Sequence, residues 1–163
     1  MLIRRLLTLL TALVGATAVL AAGPVSLQSP DKVKNALRVL AYVQADMASK
    51  LPNLAYARLP HEVQEFQEAA PALTDALAGE PRELRSTVET QLRKAVAAAQ
   101  QVESLSKTGD ATKIAAAVAA VDAQLQALNQ LFPSELRPVR DQLGVRPGMR
   151  PGAQGAGPPP DLR

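Results

Sequence analysis

Residues 110–132, DATKIAAAVAAVDAQLQALNQLF, contain the clearest structural pattern in the chain. Large apolar residues recur there at intervals of four and three, which is the spacing of a helix face that packs in a bundle. Asp110 is a residue type that caps helix N-termini, and Pro133 directly after the segment stops a helix. The pattern therefore predicts an amphipathic helix whose buried face consists of Ile114, Val118, Val121, Leu125, Leu128 and Phe132.

Residues 30–50 and 81–109 have the same helical period. The first segment begins at Ser29-Pro30-Asp31, where serine suits the cap, proline the first turn and aspartate the positive end of the helix dipole. The second begins at Glu80-Pro81 and closes near Gly109. We therefore expect one long helix in each segment.

A further helix is expected between these two, beginning at Pro60 and ending at Gly79. Pro71 lies inside this segment. Because proline has no backbone N–H to donate, we predict a kink or a break in residues 69–72.

A last, short helix is predicted over residues 134–143, with Pro138 limiting its regularity. The connections between the long helices are short, so consecutive helices should lie antiparallel. The predicted fold is therefore all-α, an up-and-down four-helix bundle over residues 30–143.

The composition fits one small domain and excludes several kinds of chemical site. The protein has 163 residues, of which 47% are apolar and 2% aromatic, so its core must consist mainly of Leu, Val and Ala. It has no Cys, which excludes disulfides, thiolate nucleophiles and iron–sulfur clusters. The formal net charge is +3, but residues 30–143 contain 13 Lys and Arg against 14 Asp and Glu. The basic excess thus belongs to the two termini, and no nucleic-acid partner is expected.

Residues 1–22 have the three parts of a secretory signal: two arginines, a long apolar run and small residues at the cleavage point. We predict cleavage after Ala21 or Ala22, a linker at residues 23–29, and export to the periplasm or thylakoid lumen, or secretion. The alternative is an uncleaved anchor, because the apolar run reaches the lower length limit of a membrane span.

Residues 144–163 differ sharply in composition, since 10 of the 20 are Gly or Pro. The segment has no apolar period that a core would need. We therefore predict a disordered tail.

The one histidine, His61, is followed by Glu65 and Glu68 at four and seven residues, on the same face of the predicted helix. An imidazole and two carboxylates are suitable ligands for a divalent cation, so these three residues form a candidate metal site. Three ligands from one helix seldom complete a metal site, and a solvated histidine at a helix start accounts for the same pattern. Both interpretations stay open.

Charge is unevenly shared among the predicted helices. The segment from His61 to Glu80 contains no Lys or Arg, whereas the helices on either side carry several. We therefore expect the second helix to have an acidic outer face. Either the neighbouring helices attract one another, or the charged faces bind a partner. The acidic residues are Glu62, Glu65, Glu68, Asp75 and Glu80.

No residue set typical of an enzyme is present. The sequence has no Gly-rich phosphate loop, nucleophile elbow or metalloprotease helix, and haem binding is not expected because His61 lies off the apolar face. We expect no cofactor and no small-molecule substrate. The predicted function is non-catalytic binding of a protein or a membrane-associated complex, and the alternative is periplasmic metal binding through the His61 cluster.

The layout of residues 36–133 resembles that of the PsbQ-type extrinsic proteins of photosystem II. The likeness lies in a proline-containing region before the bundle, in Gly79-Glu80-Pro81 before the third helix, and in a Lys-Thr-Gly-Asp turn at residues 107–110 before a Leu-rich last helix. The sequence lacks the tryptophan and the lipid-bearing cysteine found in many of those proteins. The resemblance implies a lumenal protein that docks on photosystem II and helps to protect the oxygen-evolving site.

Overall fold

The computed structural model describes residues 27–139, and its regular elements are all helical. No strand occurs in this range, which confirms the predicted all-α class. Two 3₁₀ turns, Tyr56–Arg58 and Ser134–Leu136, precede the second α-helix and follow the fourth. The four α-helices are α1 (Pro30–Lys50), α2 (Leu59–Ala76), α3 (Arg82–Ser106) and α4 (Ala111–Asn129).

The predicted signal at residues 1–22 and the predicted tail at residues 144–163 lie outside the described residues, as do residues 140–143 of the predicted domain. Within the described part, no helix combines the length and the apolar character that are needed to cross a membrane. Cleavage, export and tail disorder therefore stay predictions.

The starts of α1 and α4 agree with the sequence pattern. The Asp110 carboxylate accepts a hydrogen bond from the Lys113 backbone N–H at 3.1 Å, and this satisfies a free donor in the first turn of α4. The same bond lowers the pKa of Asp110, because it stabilises the carboxylate. At α1, Pro30 occupies the first turn as predicted, but the Ser29 hydroxyl makes no capping hydrogen bond.

The helix α2 runs through Pro71 without interruption, so of the kink or break predicted in residues 69–72 the break does not occur. One proline removes a single backbone donor, and tertiary packing often outweighs that loss. Here Phe66 and Leu73 are fully buried on either side of the proline. Their burial holds both halves of the helix against the core.

The end of α2 also differs from the prediction, because the helix stops at Ala76 and Gly79 lies in the following turn. Gln28 packs on this turn: its Nε2 donates to the Gly79 carbonyl at 2.7 Å, and its backbone N–H donates to the Glu80 carboxylate at 2.6 Å. A side chain at position 79 would meet the end of the Gln28 side chain, which would have to shift. These contacts lie between the residue before the cap of α1 and the α2–α3 turn.

The predicted helix over residues 134–143 is wrong within the described residues. Only a single 3₁₀ turn forms, Ser134–Leu136, and Arg137 is extended. The cause is Pro138, because proline disfavours the helical conformation in the residue before it.

One hydrophobic core joins all four helices. Phe66 and Phe132 are its aromatic members, and the rest are mainly Leu, Val and Ala, as the composition predicts. Every residue of the predicted buried face of α4 is buried. The helical period thus identified the core-facing side of α4 correctly.

Each helix has two main helical neighbours: α1 and α3 both contact α2 and α4. Between α3 and α4, the Gln91 side-chain amide donates to the backbone carbonyl of Gln124 at 3.1 Å and to its side-chain oxygen at 2.9 Å. Between α1 and α4, a groove is lined by residues from the second half of α1 and the first half of α4. These contacts place the end of α1 near the start of α4.

Leu54, in the link between α1 and α2, is the one non-glycine residue with a positive φ in residues 27–139, at 52°. It is also 68% exposed. Its isobutyl group therefore adds little to the core, and its backbone carries the strain of the left-handed region.

We predict that Leu125→Ala destabilises the protein by about 2–5 kcal/mol, because it opens a cavity in the buried face of α4. The free energy of unfolding from urea denaturation measures the loss. The matched control is Leu54→Ala, which removes the same atoms from an exposed residue and should change stability by less than about 0.5 kcal/mol. Similar losses in the two variants would contradict the assignment of the core.

Candidate functional site

One lysine and two carboxylates form a cluster where α1 ends and α2 begins. Lys50 Nζ lies 2.8 Å from Asp46 Oδ1, one turn earlier in α1, and 3.5 Å from Glu62 Oε1 in α2. Glu62 is only 5% exposed. Lys50 thus balances two acidic groups, one of which is shielded from water.

The three groups have shifted pKa values. Burial raises the pKa of Glu62 and the negative charge of Asp46 adds to this, while Lys50 opposes it. Burial acts to raise the pKa of Asp46 as well, but hydrogen bonds from Lys50 and Ser49 lower it overall. The hydrogen bond to Asp46 raises the pKa of Lys50. On acidification, Glu62 therefore takes up a proton before Asp46.

The structure brings together two of the three predicted metal ligands. His61 Nε2 lies 3.5 Å from Glu65 Oε1, with side-chain exposures of 70% and 21%. Glu68 instead accepts a hydrogen bond from the Gln64 amide at 2.8 Å. No group of three or more His, Asp or Glu residues in positions 27–139 is arranged to hold a metal ion. The predicted site is thus represented by one His–Glu pair, in which the imidazole is exposed to solvent.

The expected acidic outer face of α2 needs correction. Glu62 and Glu80 are both buried, and they face Lys50 and the Gln28 backbone N–H, respectively. Of the five acidic residues, only Glu68 and Asp75 are exposed. The face is therefore much less acidic than the sequence suggested.

Five ion pairs within residues 27–139 lie where α1 and α3 end and where α2 and α4 begin, a region we call the paired end. Besides the Lys50 cluster and the His61–Glu65 pair, Lys107 pairs with Glu103 at 3.4 Å and Lys113 pairs with Asp110 at 3.1 Å. Outside the Lys50 cluster most of these groups are exposed, and exposed pairs add little to stability. Their importance is that each of the three lysines there has a carboxylate partner within the protein.

The opposite end contains a pocket of about 340 Å³, between the first turns of α1 and the segment after α4. Three cationic residues line it: Lys34 and Arg38 from α1, and Arg137 from the segment after α4. None of the three has an ion-pair partner within residues 27–139. We call this site the basic pocket.

The basic pocket also contains neutral polar groups and two carboxylates. Asn35 and Ser134 offer an amide and a hydroxyl group, while Asp31 and Glu135 contribute negative charge. Three cations and two carboxylates leave a formal excess of one positive charge. The pocket is thus suited to an anion of low charge.

A wider groove of about 650 Å³ lies between α2 and α3. Ala70, Leu92 and Val96 give it an apolar lining, with Asp75 and Arg93 among its polar residues. It follows the seam between two packed helices. Unlike the basic pocket, it does not bring together several cations without partners.

We predict that Glu62 makes stability depend on pH. Its pKa in the folded protein is raised, so the folded state holds the proton more tightly than the unfolded state, whose value is near 4.5. The wild type should therefore gain stability relative to Glu62→Gln as the pH falls from 7 towards 4.5. Urea denaturation at several pH values measures this difference.

The control for this experiment is Glu68→Gln, which removes a charge from an exposed residue of the same helix. Its stability should run parallel to that of the wild type over the same pH range. If the Glu62→Gln variant also ran parallel, the buried carboxylate would not have a raised pKa.

Comparisons with models of protein families, with curated proteins and with solved structures gave no significant match. The resemblance to PsbQ-type proteins therefore rests on the sequence features alone. A function for this protein has to be argued from its own residues, and the basic pocket offers the most specific arrangement of charge.

Proposed function

We propose that this protein is a non-catalytic, exported, up-and-down four-helix bundle that binds a protein or a membrane-associated complex through the end that carries the basic pocket. The observation that supports this proposal is the separation of charges between the two ends. The three lysines named at the paired end each have a carboxylate partner, whereas Lys34, Arg38 and Arg137 have no ion-pair partner in the described residues.

Unbalanced cations of this kind favour an acidic partner. Complementary charge speeds association and selects among partners more than it adds affinity. Residues 30–143 carry nearly equal numbers of acidic and basic residues, so the attraction is local to this end. A partner would therefore be expected to present carboxylates on a small surface.

The compartment follows from the sequence. A cleaved signal at residues 1–22 would place the mature protein in the periplasm or thylakoid lumen, or outside the cell. A PsbQ-like role on photosystem II is the specific form of this proposal, and it rests on the resemblance described above.

The proposal predicts that charge reversal at the pocket end weakens partner binding. Lys32 and Lys34 are exposed near the start of α1, so Lys32→Glu combined with Lys34→Glu should preserve the fold. The tagged mature protein is used to capture partners from envelope or thylakoid extracts, and the dissociation constant is then measured with the purified partner. We expect a loss of about tenfold or more, which corresponds to about 1.4 kcal/mol, and a similar weakening by added salt.

The matched control is Lys107→Glu combined with Lys113→Glu, which changes the net charge equally at the paired end. Circular dichroism checks that both variants are folded. The control should bind the partner as the wild type does. Equal binding by the wild type and both variants would contradict the assignment of the docking surface to this end. Equal weakening of both variants would show that binding depends only on the net charge of the protein.

The metal-binding alternative has its own test, because His61 and Glu65 lie close together. Titration of the mature protein with zinc, followed by calorimetry, should show no saturable binding tighter than about 100 μM, since two ligands on one exposed helix face do not complete a zinc site. Tighter binding of one ion that is lost in His61→Ala would establish the alternative.

A further inference from the structure

We infer that the basic pocket binds a single carboxylate group, supplied by an acidic side chain of the partner. This inference rests on the proposed function and specifies its recognition chemistry. It starts from the geometry of three cationic residues that come from two separate parts of the sequence.

One cation of the pocket, Arg137, is held in place before any ligand arrives. Arg137 Nε donates to the Phe132 backbone carbonyl at 2.9 Å, which fixes the guanidinium near the end of α4. Arg38 Nε is buried and has no hydrogen-bond partner within the described residues. Lys34 lies one helical turn before Arg38, on the same side of α1. Positioning of this kind reduces the entropy that binding must remove.

Arginine favours a planar, two-oxygen ligand. A guanidinium group presents parallel N–H donors that match both oxygens of a carboxylate, and such charge-assisted bonds are stronger than neutral ones. Asn35 adds a neutral donor to the same lining, whereas the Ser134 hydroxyl donates to Glu135 at 3.3 Å. The pocket thus offers more donors than a simple cationic surface patch.

The remaining charges limit the ligand to a single negative charge. Asp31 and Glu135 also line the pocket, so one carboxylate neutralises its formal charge of +1. A doubly charged phosphate would instead leave the pocket with a formal charge of −1. A lipid surface fits less well, because Leu54 and Val139 are the exposed large hydrophobic residues of the described part, and only Val139 borders the pocket.

The test uses the mature protein and two peptides that differ in one group. Acetyl-Gly-Glu-Gly-amide carries a single carboxylate, and acetyl-Gly-Gln-Gly-amide replaces it with a neutral amide. We expect the first to produce saturable NMR shifts at the backbone amides of Asn35, Arg38 and Ser134, with an affinity on the order of millimolar. The second should produce none.

Variants then test the residues of the pocket. Arg38→Gln should weaken binding of the Glu peptide about tenfold, as expected for the loss of one charge-assisted contact. Lys34→Gln, at an exposed position, gives a second test if the first variant is unstable. Lys107→Gln, at the paired end, is the control and should leave the affinity unchanged.

Three results would overturn the inference: equal shifts with both peptides, saturation of the same amides by inorganic phosphate but not by the Glu peptide, or shifts only with phosphatidylglycerol vesicles. A failure of this inference can be distinguished from a failure of the proposed function. If charge reversal abolishes partner binding while the Glu peptide does not bind, the carboxylate site is refuted and the docking function is not. If the Glu peptide binds while charge reversal leaves partner binding unchanged, the docking function is refuted and the carboxylate site is not.

Discussion

Burial of one apolar face from each helix is the interaction on which the rest of this structure depends. The sequence has no Cys and no Trp, so neither crosslinks nor a large aromatic cluster contributes. A fully buried Leu or Phe residue adds about 1.5–3 kcal/mol of stability, whereas an exposed ion pair adds about 0–1 kcal/mol. Small core residues such as Ala95 and Ala99 fill the positions between larger ones. The apolar faces therefore decide where the helices lie, and the charged groups take the positions that remain.

The cluster around Lys50 shows, at one charged residue, that apolar burial decides the position and ion pairing follows. Glu62 lies three residues after Leu59 and four before Phe66, so it occupies the same helical face as two fully buried residues. Packing of that face draws its carboxylate out of water, which is unfavourable for a charged group unless a partner compensates. Lys50 supplies this partner from α1. A pair of this kind is weak evidence of extra stability, because desolvation offsets much of the attraction.

The sequence predicted the individual helices of this fold better than the contacts between them. The period of four and three identified the buried face of α4, and Asp110 marked its start, because both signals are local. The predicted alternative of a break at Pro71 does not occur, and the packing of Phe66 and Leu73 against other helices that accounts for this cannot be read from the helix itself. Glu62 was assigned to an outer face although its spacing from Phe66 was a usable signal of burial. The basic pocket could not be predicted at all, because Arg137 reaches Lys34 and Arg38 only through the tertiary fold.

The contrast between the two ends follows from how each is built. At the paired end, most pairs are three or four residues apart on one helix, so the local helix geometry brings opposite charges together. At the basic pocket, the cations belong to α1 and to the segment after α4, and the core fixes their separation. Neighbouring like charges repel weakly in water, so the core tolerates the arrangement at small cost. Natural proteins commonly break local rules of charge balance at sites that bind. An external carboxylate would reduce this repulsion by supplying a negatively charged partner, which is why the proposed recognition is placed at this end and not at the paired end.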